Sequence, residues 1–455
     1  MQRQIPRSVA FWLVGLTSTV VLLASAAPSP LYPVYQQLFG FSAFTLTIVF
    51  AVYVVALVGT LLTVGSISDH IGRRPVLAGA VVLLIVSMVV FLTADGVTML
   101  IVARVLQGLA TGALVGTVSA ALVDLAPTPH LGSMVSTATP PLGLATGVVL
   151  AGVLVEYAPL PRVIVYVVLI VALTALLATT MFLPETSPLL GFDSRSHALS
   201  TISPRIAVPS DVRPVFFSAV PAMLATWSLG GLYLSLGSSI TAQILGVANH
   251  ATGGAILCAF FGSAAAASTV ASRASTTMKL VIGYSALAGG VLISMSAVLA
   301  ESAPIYVVGS ILAGIGFGTT LLGIMSEMAR VSAPSQRAQV FAAVFAVCYT
   351  AFSVPAVIAG IVTVHAGLRA TAVGYAIFIV SLIAAAAIAA VILRDRGELP
   401  TDEAPSGAGA LGGLGRDDAL VDGLGHPLAR EATDAGQDAR GDRAATLAPF
   451  ESGAR

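Results

Sequence analysis

Apolar residues in this chain fall into long, nearly uninterrupted runs rather than into the alternating pattern that marks half-buried strands. The runs lie at residues 9–27, 45–67, 76–92, 98–123, 133–155 and 163–183. After a polar interval they resume at 215–236, 253–270, 280–299, 306–325, 339–364 and 370–393. Each is close to the twenty or so residues a helix needs to cross a hydrocarbon core. The first run of the second group merges into a neutral stretch that ends at Ser272. A period of two is absent, which argues against a membrane β-barrel. The pattern predicts an all-α integral membrane protein with twelve transmembrane helices in two groups of six.

Composition sharpens this. Hydrophobic residues make up 57% of the 455 residues and charged residues 9%, and the mean hydropathy is +0.96. A water-soluble domain carries about a quarter charged residues. Of the 21 basic and 21 acidic side chains, 19 fall from Arg394 onward, so the spans are almost free of charge. Residues 397–455 are rich in Gly, Ala, Asp and Arg and poor in large apolar residues. Such a segment cannot bury enough surface to offset its ordering entropy, and a disordered tail is expected there. The interval between the two groups holds Pro184, Pro188, Pro204, Pro209 and Pro214 and reads as a connection. The expected organisation is a six-helix bundle over residues 1–190, a linker over 191–213, a second bundle over 214–396 and the tail over 397–455.

The start of the chain has a second reading. Arg3 and Arg7, an apolar run and Ala24-Ser25-Ala26 have the outline of a cleavable signal. Eleven further spans make a retained first helix the expectation. Loop charge then sets orientation. With both ends inside, Arg3, Arg7, Arg73, Arg74, Arg195, Arg205, Arg213, Arg273, Lys279, Arg330, Arg337, Arg394 and Arg396 are cytoplasmic, and only Arg162 and Arg369 fall outside. The expectation is a multi-pass protein of the cell (inner or plasma) membrane with both termini cytoplasmic.

The two groups also resemble each other. Gly108 and Gly112 recur 206 residues later as Gly314 and Gly318, and the same offset carries Arg73 to Lys279. The stretch Ala151-Gly152 to Ala158 is echoed, 208 residues on, by Ala359-Gly360 to Ala366. Parallel repeats of six helices place a site at mid-membrane between the halves.

Three sets of residues carry candidate chemistry. The first is Gly65-Ser66-Ile67-Ser68-Asp69-His70-Ile71-Gly72-Arg73-Arg74, a charged knot between two spans. Gly65 lets another helix approach, Asp69 suits the backbone N–H groups of a helix N-terminus, Gly72 permits a tight turn, and Arg73 and Arg74 suit phosphates or an acidic partner. A solvated basic loop that serves topology alone is the plainer reading. The second is Arg104, the one formal charge deep in a span, with Gln107 one turn away. Burying it costs at least ~2.5 kcal/mol on insertion scales, so it should face a cavity or a partner; a structural arginine bonded to a neighbouring helix is the alternative. The third comprises glycines at helix-packing spacing, Gly108, Gly112 and Gly116 in the fourth span and Gly143, Gly147 and Gly152 in the fifth. Tyr32, Tyr53, Trp227 and Tyr233 are candidates for lining a cavity, although packing or an interfacial belt explains any one of them. Pro28, Pro30 and Pro33 are expected to end the first helix.

The knot resembles the loop between helices 2 and 3 of the major facilitator superfamily, whose signature G-x-x-x-D-(R/K)-x-G-R-(R/K) is met by Gly65, Asp69, Gly72, Arg73 and Arg74, with His70 standing where a basic residue is usual. The resemblance covers residues 9–393. It implies that the loop's acid latches the two halves, with the region 334–337 as its counterpart. It also implies that Arg104, in a stretch similar to the family's helix 4 signature, serves substrate binding or proton coupling. Gly143, Gly147 and Gly152 are similar to the antiporter signature, but Val148 stands where its proline belongs. The implied activity is secondary transport of a small solute by alternating access, in particular proton-coupled efflux of drug-like or amphipathic metabolites. Uptake or facilitated passage of a small metabolite is the second reading and a channel a distant third.

Other classes fit poorly. The six histidines fall in predicted loops, linker or tail, Cys258 and Cys348 lie in separate spans, and no phosphate-cradling G-x-x-x-x-G-K-[ST] loop is present. The chain is expected to be no enzyme, to need no cofactor or metal beyond a proton gradient as energy source, and to bind no nucleic acid. Its partners should be membrane lipid and a small-molecule substrate, with the chain acting as a monomer. No carboxylate lies mid-span, so Asp69 and Glu156 are the remaining candidates for carrying a proton.

Overall fold

A computed structural model describes residues 5–64, 67–187, 208–333 and 336–396 of the chain. The linker and tail expected at 191–213 and 397–455 lie mostly or wholly outside the described residues, as do Gly65 and the Asp69 side chain. Twelve helices long and apolar enough to span a membrane are present. We number them α1 Arg7–Ala26, α2 Ala43–Val64, α3 Arg73–Leu92, α4 Val97–Leu125, α5 Pro129–Tyr157, α6 Pro161–Thr180, α7 Arg213–Ser235, α8 His250–Val270, α9 Thr276–Leu299, α10 Ala303–Val331, α11 Arg337–Ala366 and α12 Leu368–Asp395. The described residues contain no strand. Twelve passes put the start of α1 and the end of α12 on one face, here called the terminal face; the other is the distal face.

Large apolar side chains within the spans, among them Val55, Val171, Val281 and Ile388, are more than half exposed. Water would oppose that, whereas hydrocarbon does not. The halves repeat one packing scheme. In the first, α4 packs on α2 and α3, α1 on α4 and α5, and α3 on α6; in the second, α10 packs on α8 and α9, α7 on α10 and α11, and α9 on α12. The halves meet through α2 against α11 and through α5 against α8. These two contacts are equivalent under the duplication, since each sets the second helix of one half against the fifth of the other.

Glycine explains the recurring offsets. A Cβ on Gly108 or Gly112 of α4 would run into the Tyr53 or Leu57 carbonyl of α2, and one on Gly314 or Gly318 of α10 into the Phe260 or Ala264 carbonyl of α8. Gly143 and Gly147 give α5 the same close approach to Thr19 and Leu23 of α1. Gly152 sits against His250 and Gly254 of α8, while its repeat partner Gly360 sits against Thr47 of α2, so both lie in the contacts between halves. In membranes such small-residue contacts replace the hydrophobic drive that water would supply.

The first helix ends at Ala26, just before the prolines, and the segment that follows is itself helical. Residues Ser29–Leu31 form a 3-10 turn and Tyr32–Phe39 a further short helix. Pro30 and Pro33 occupy first-turn positions there, where the missing N–H is harmless. The neutral stretch of the second half is broken at Leu236, a short helix Gly237–Gln243 follows, and α8 starts anew with the Asn249 side chain accepting from Thr252 N.

Candidate functional site

Arg104 is 1% exposed, one of the largest fully buried side chains in the protein. It lies two turns from the distal end of α4 and reaches the end of α1 and the short helix beyond it. Its Nη1 donates to the Ser25 carbonyl at 3.1 Å and to Gln107 Oε1, and its Nη2 donates to the Tyr32 hydroxyl. Gln107 in turn donates to the Ala24 carbonyl at 2.9 Å. The guanidinium carbon lies 5.4, 5.3 and 5.7 Å from the ring centres of Tyr32, Tyr53 and Phe91, close enough for cation–π attraction. None of these partners carries a charge, and the buried Nε has no acceptor. A partnered but uncompensated cation is thus held among aromatic faces. Any anionic group that reached it would find both charge complementarity and a free donor.

The equivalent place in the second half is built differently. Ser310 stands where the duplication places Arg104, and its hydroxyl lies 2.7 Å from that of Tyr233. Tyr233 stacks on Phe260 at 4.2 Å and on Tyr306 at 6.0 Å. Beside it is a small cavity of about 30 Å³ lined by Tyr233, Val291, Tyr306 and Tyr375, room for about one water. Of the four aromatic residues named as cavity candidates, Tyr32, Tyr53 and Tyr233 are buried in this packing. Trp227 is partly exposed and joins Tyr349, Phe352 and Phe317, with Phe50 of α2 meeting Phe352 across the halves at 5.2 Å.

The charged knot lies at the terminal face. Gly72 adopts φ +104°, a left-handed region that glycine reaches without strain. Having no side chain, it leaves the first N–H groups of α3 to be satisfied from elsewhere. Glu185 does so. Its Oε1 accepts from Arg73 N at 2.9 Å and its Oε2 from Arg74 N at 3.1 Å. The same carboxylate turns the chain after α6 by accepting from Thr186 N and Ser187 N. The Arg73 side chain pairs with Asp124 at the end of α4, and Arg7 donates to the Asp124 carbonyl. In the second half Glu327 pairs with Arg330, and Lys279 donates to Ser326 Oγ at 3.3 Å. These contacts of Arg73 and Arg74 lie within the first half. Asp69's side chain and the expected counterpart at Pro334 and Ser335 lie outside the described residues.

Sequence reasoning missed Glu185, because the groups it caps are 112 and 111 residues away, and no local spacing signals such a contact. It also missed that the distal ends of the halves are joined by two hydrogen bonds. Ser29 Oγ donates to the Leu234 carbonyl at 2.7 Å, and His250 N donates to Glu156 Oε2 at 2.8 Å.

A family model for the Major Facilitator Superfamily matches residues 14–356. The chain belongs to that superfamily. It is a multi-pass membrane transporter and not an enzyme. Among solved structures, that of the human organic anion transporter MFSD10 (TETRAN) superposes at TM-score 0.64 with 17% identity, over 84% of this chain and all of that one. A bacterial homolog of the human lysosomal transporter Spinster, inward-facing and unoccupied, superposes at TM-score 0.66 with 12% identity, over 87% and 98% of the two chains. These likenesses are of fold. No curated protein sequence matches the chain.

Proposed function

We propose that this superfamily member is a secondary active carrier that exports small amphipathic solutes across the cell membrane by alternating access, driven by the proton gradient. The supporting observation is the buried cation of Arg104, held by neutral partners with its Nε unbonded, in a chain whose two halves repeat one packing scheme. The loop arginines favour cytoplasmic termini. Gly65, Asp69, Gly72, Arg73 and Arg74 serve as a latch between the halves, and Arg104 with Gln107 serves substrate binding or coupling. The uncompensated charge of Arg104 favours solutes that carry one anionic group.

The test is transport by purified protein in proteoliposomes under an imposed pH gradient, using amphipathic fluorescent dyes with and without a carboxylate. Movement of a dye against its own gradient, lost on collapsing the pH gradient, is the expected outcome. Equilibration alone, unaffected by the pH gradient, identifies a facilitator instead, and non-saturating flux identifies a channel.

A further inference from the structure

The aromatic cluster of the second half touches the first half through Phe50. Trp227 of α7 stands edge-on to Tyr349 and Phe352 of α11, with ring centres 4.8 and 5.7 Å away, and Phe352 lies 5.2 Å from Phe50 of α2. Gly231, one turn after Trp227, permits this approach, since a Cβ there would strike the Phe352 carbonyl. Tyr349, Phe352 and Phe50 are buried, whereas Trp227 is partly exposed. Its ring therefore keeps some open surface while its indole N–H is shut in with no acceptor among the described residues. A buried indole N–H ordinarily finds a partner, and leaving a buried donor unbonded is costly.

Helix α2 connects this cluster to the buried cation. Phe50 and Tyr53 are three residues apart and so lie on one face of the helix, separated by about 4.5 Å of rise. Phe50 meets Phe352, and the Tyr53 ring centre lies 5.3 Å from the guanidinium carbon of Arg104. The seam between the halves thus carries an aromatic surface and a cation about one helical turn apart, each with a sheltered N–H that bonds to nothing. Parting of α2 from α11 withdraws Phe50 from Phe352 and opens the space beside both.

We infer that Trp227 is a solute-binding residue and that the solutes it selects are aromatic anions. The solute's ring packs against Trp227 and Phe352 in the place Phe50 vacates, and the indole N–H donates to an acceptor on the solute. A carboxylate or sulfonate about one turn from the ring reaches Arg104, where the forked donors suit it. This rests on the carrier reading, which supplies the separation of the halves, and it narrows the amphipathic solutes of that reading to aryl carboxylates and sulfonates.

Binding tests this without transport, so the two readings can fail separately. The chain has two tryptophans, and Trp12 is 57% exposed on α1. Trp12→Phe leaves Trp227 as the sole indole fluorophore. In lipid nanodiscs with no pH gradient, para-nitrohydrocinnamate should quench that fluorescence saturably. The alcohol of the same skeleton should bind roughly tenfold more weakly or worse, the scale of one charge-assisted hydrogen bond. Arg104→Gln should bring the two probes to equal affinity, while Ser310→Ala should keep the preference. Trp227→Phe retains a ring and loses the N–H, and its binding of the radiolabelled anion should weaken about threefold to tenfold. Thermal unfolding shows that each variant is folded. Quenching that never saturates overturns the inference. So do equal affinities for the two probes in the Trp12→Phe protein, a preference that survives Arg104→Gln, or unchanged binding in Trp227→Phe. Saturable, charge-selective binding with no transport supports the site and overturns export instead.

Discussion

The two halves of this transporter share a packing plan and differ in chemistry. At three pairs of equivalent positions the backbone requirement is the same: Gly108 and Gly314, Gly112 and Gly318, and Gly152 and Gly360 each let equivalent helices approach. Where the requirement is chemical the halves part. Arg104 is matched by Ser310, and the Glu156 cap by Val364. Duplication preserves what two helices need in order to touch. The buried cation and the carboxylate that joins the halves both lie in the first half, and the second presents an aromatic wall around Trp227, Tyr233 and Phe317.

The strongest way to break this comparison is to substitute the pair that differs most. Arg104→Ala removes the buried cation and leaves the Tyr32 hydroxyl and the Ser25 carbonyl without their donor. Transport should fall by roughly a hundredfold, on the order of 2.7 kcal/mol in the barrier, while Ser310→Ala should change it by less than about threefold. Arg104→Lys sharpens the test, since it keeps the charge and loses the forked donors. Dye transport in proteoliposomes measures all three, with thermal unfolding to show that each protein is folded. Equal losses in Arg104→Ala and Ser310→Ala would mean that both halves carry the chemistry.

The next effect should be symmetric. Gly108→Leu and Gly314→Leu each force a side chain into a carbonyl of the neighbouring helix and should each destabilise by about 1–3 kcal/mol or more, read as a lower unfolding temperature in detergent. A protein that tolerates one and not the other would show that the shared offset does not reflect shared packing.

These pairs also show how far the sequence alone reaches. Twelve apolar runs, an even number of passes and the glycine offsets were legible because they follow from lipid contact and backbone approach, which impose period and composition on a local stretch. Arg104 was legible as an anomaly, a charge where none is expected, and Gln107 as its neighbour on the same helix, but Ser25 and Tyr32 were not. Tyr32 reaches the guanidinium because the chain after α1 continues as a 3-10 turn and a short helix. Glu185 and Glu156 were the least legible as caps. A carboxylate that serves a remote backbone N–H leaves no periodicity, and nothing near it names the helix it serves.

That blind spot supplies the finest comparison, between the caps of α3 and α9. These helices are equivalent, and each starts with a base at the terminal face. The start of α9 is local: Ser275 accepts from Met278 N at 3.2 Å. That of α3 is borrowed, with Gly72 contributing no side chain and Glu185 arriving from beyond α6. Ser275→Ala should therefore cost about 1 kcal/mol and touch only the first turn of α9. Glu185→Ala should cost a similar amount, about 1–2 kcal/mol for charged-group hydrogen bonds at a half-exposed site, but its effect should appear in two places. Hydrogen exchange should quicken both in the first turn of α3 and in residues 184–187, because one carboxylate orders both. Glu185→Gln should recover part of the protection, since the amide oxygen can still accept. If exchange in Glu185→Ala quickens at α3 alone, the carboxylate is a cap and nothing more. If it quickens in both, the connection between the halves is tethered to the charged knot, and the first half alone holds that tether.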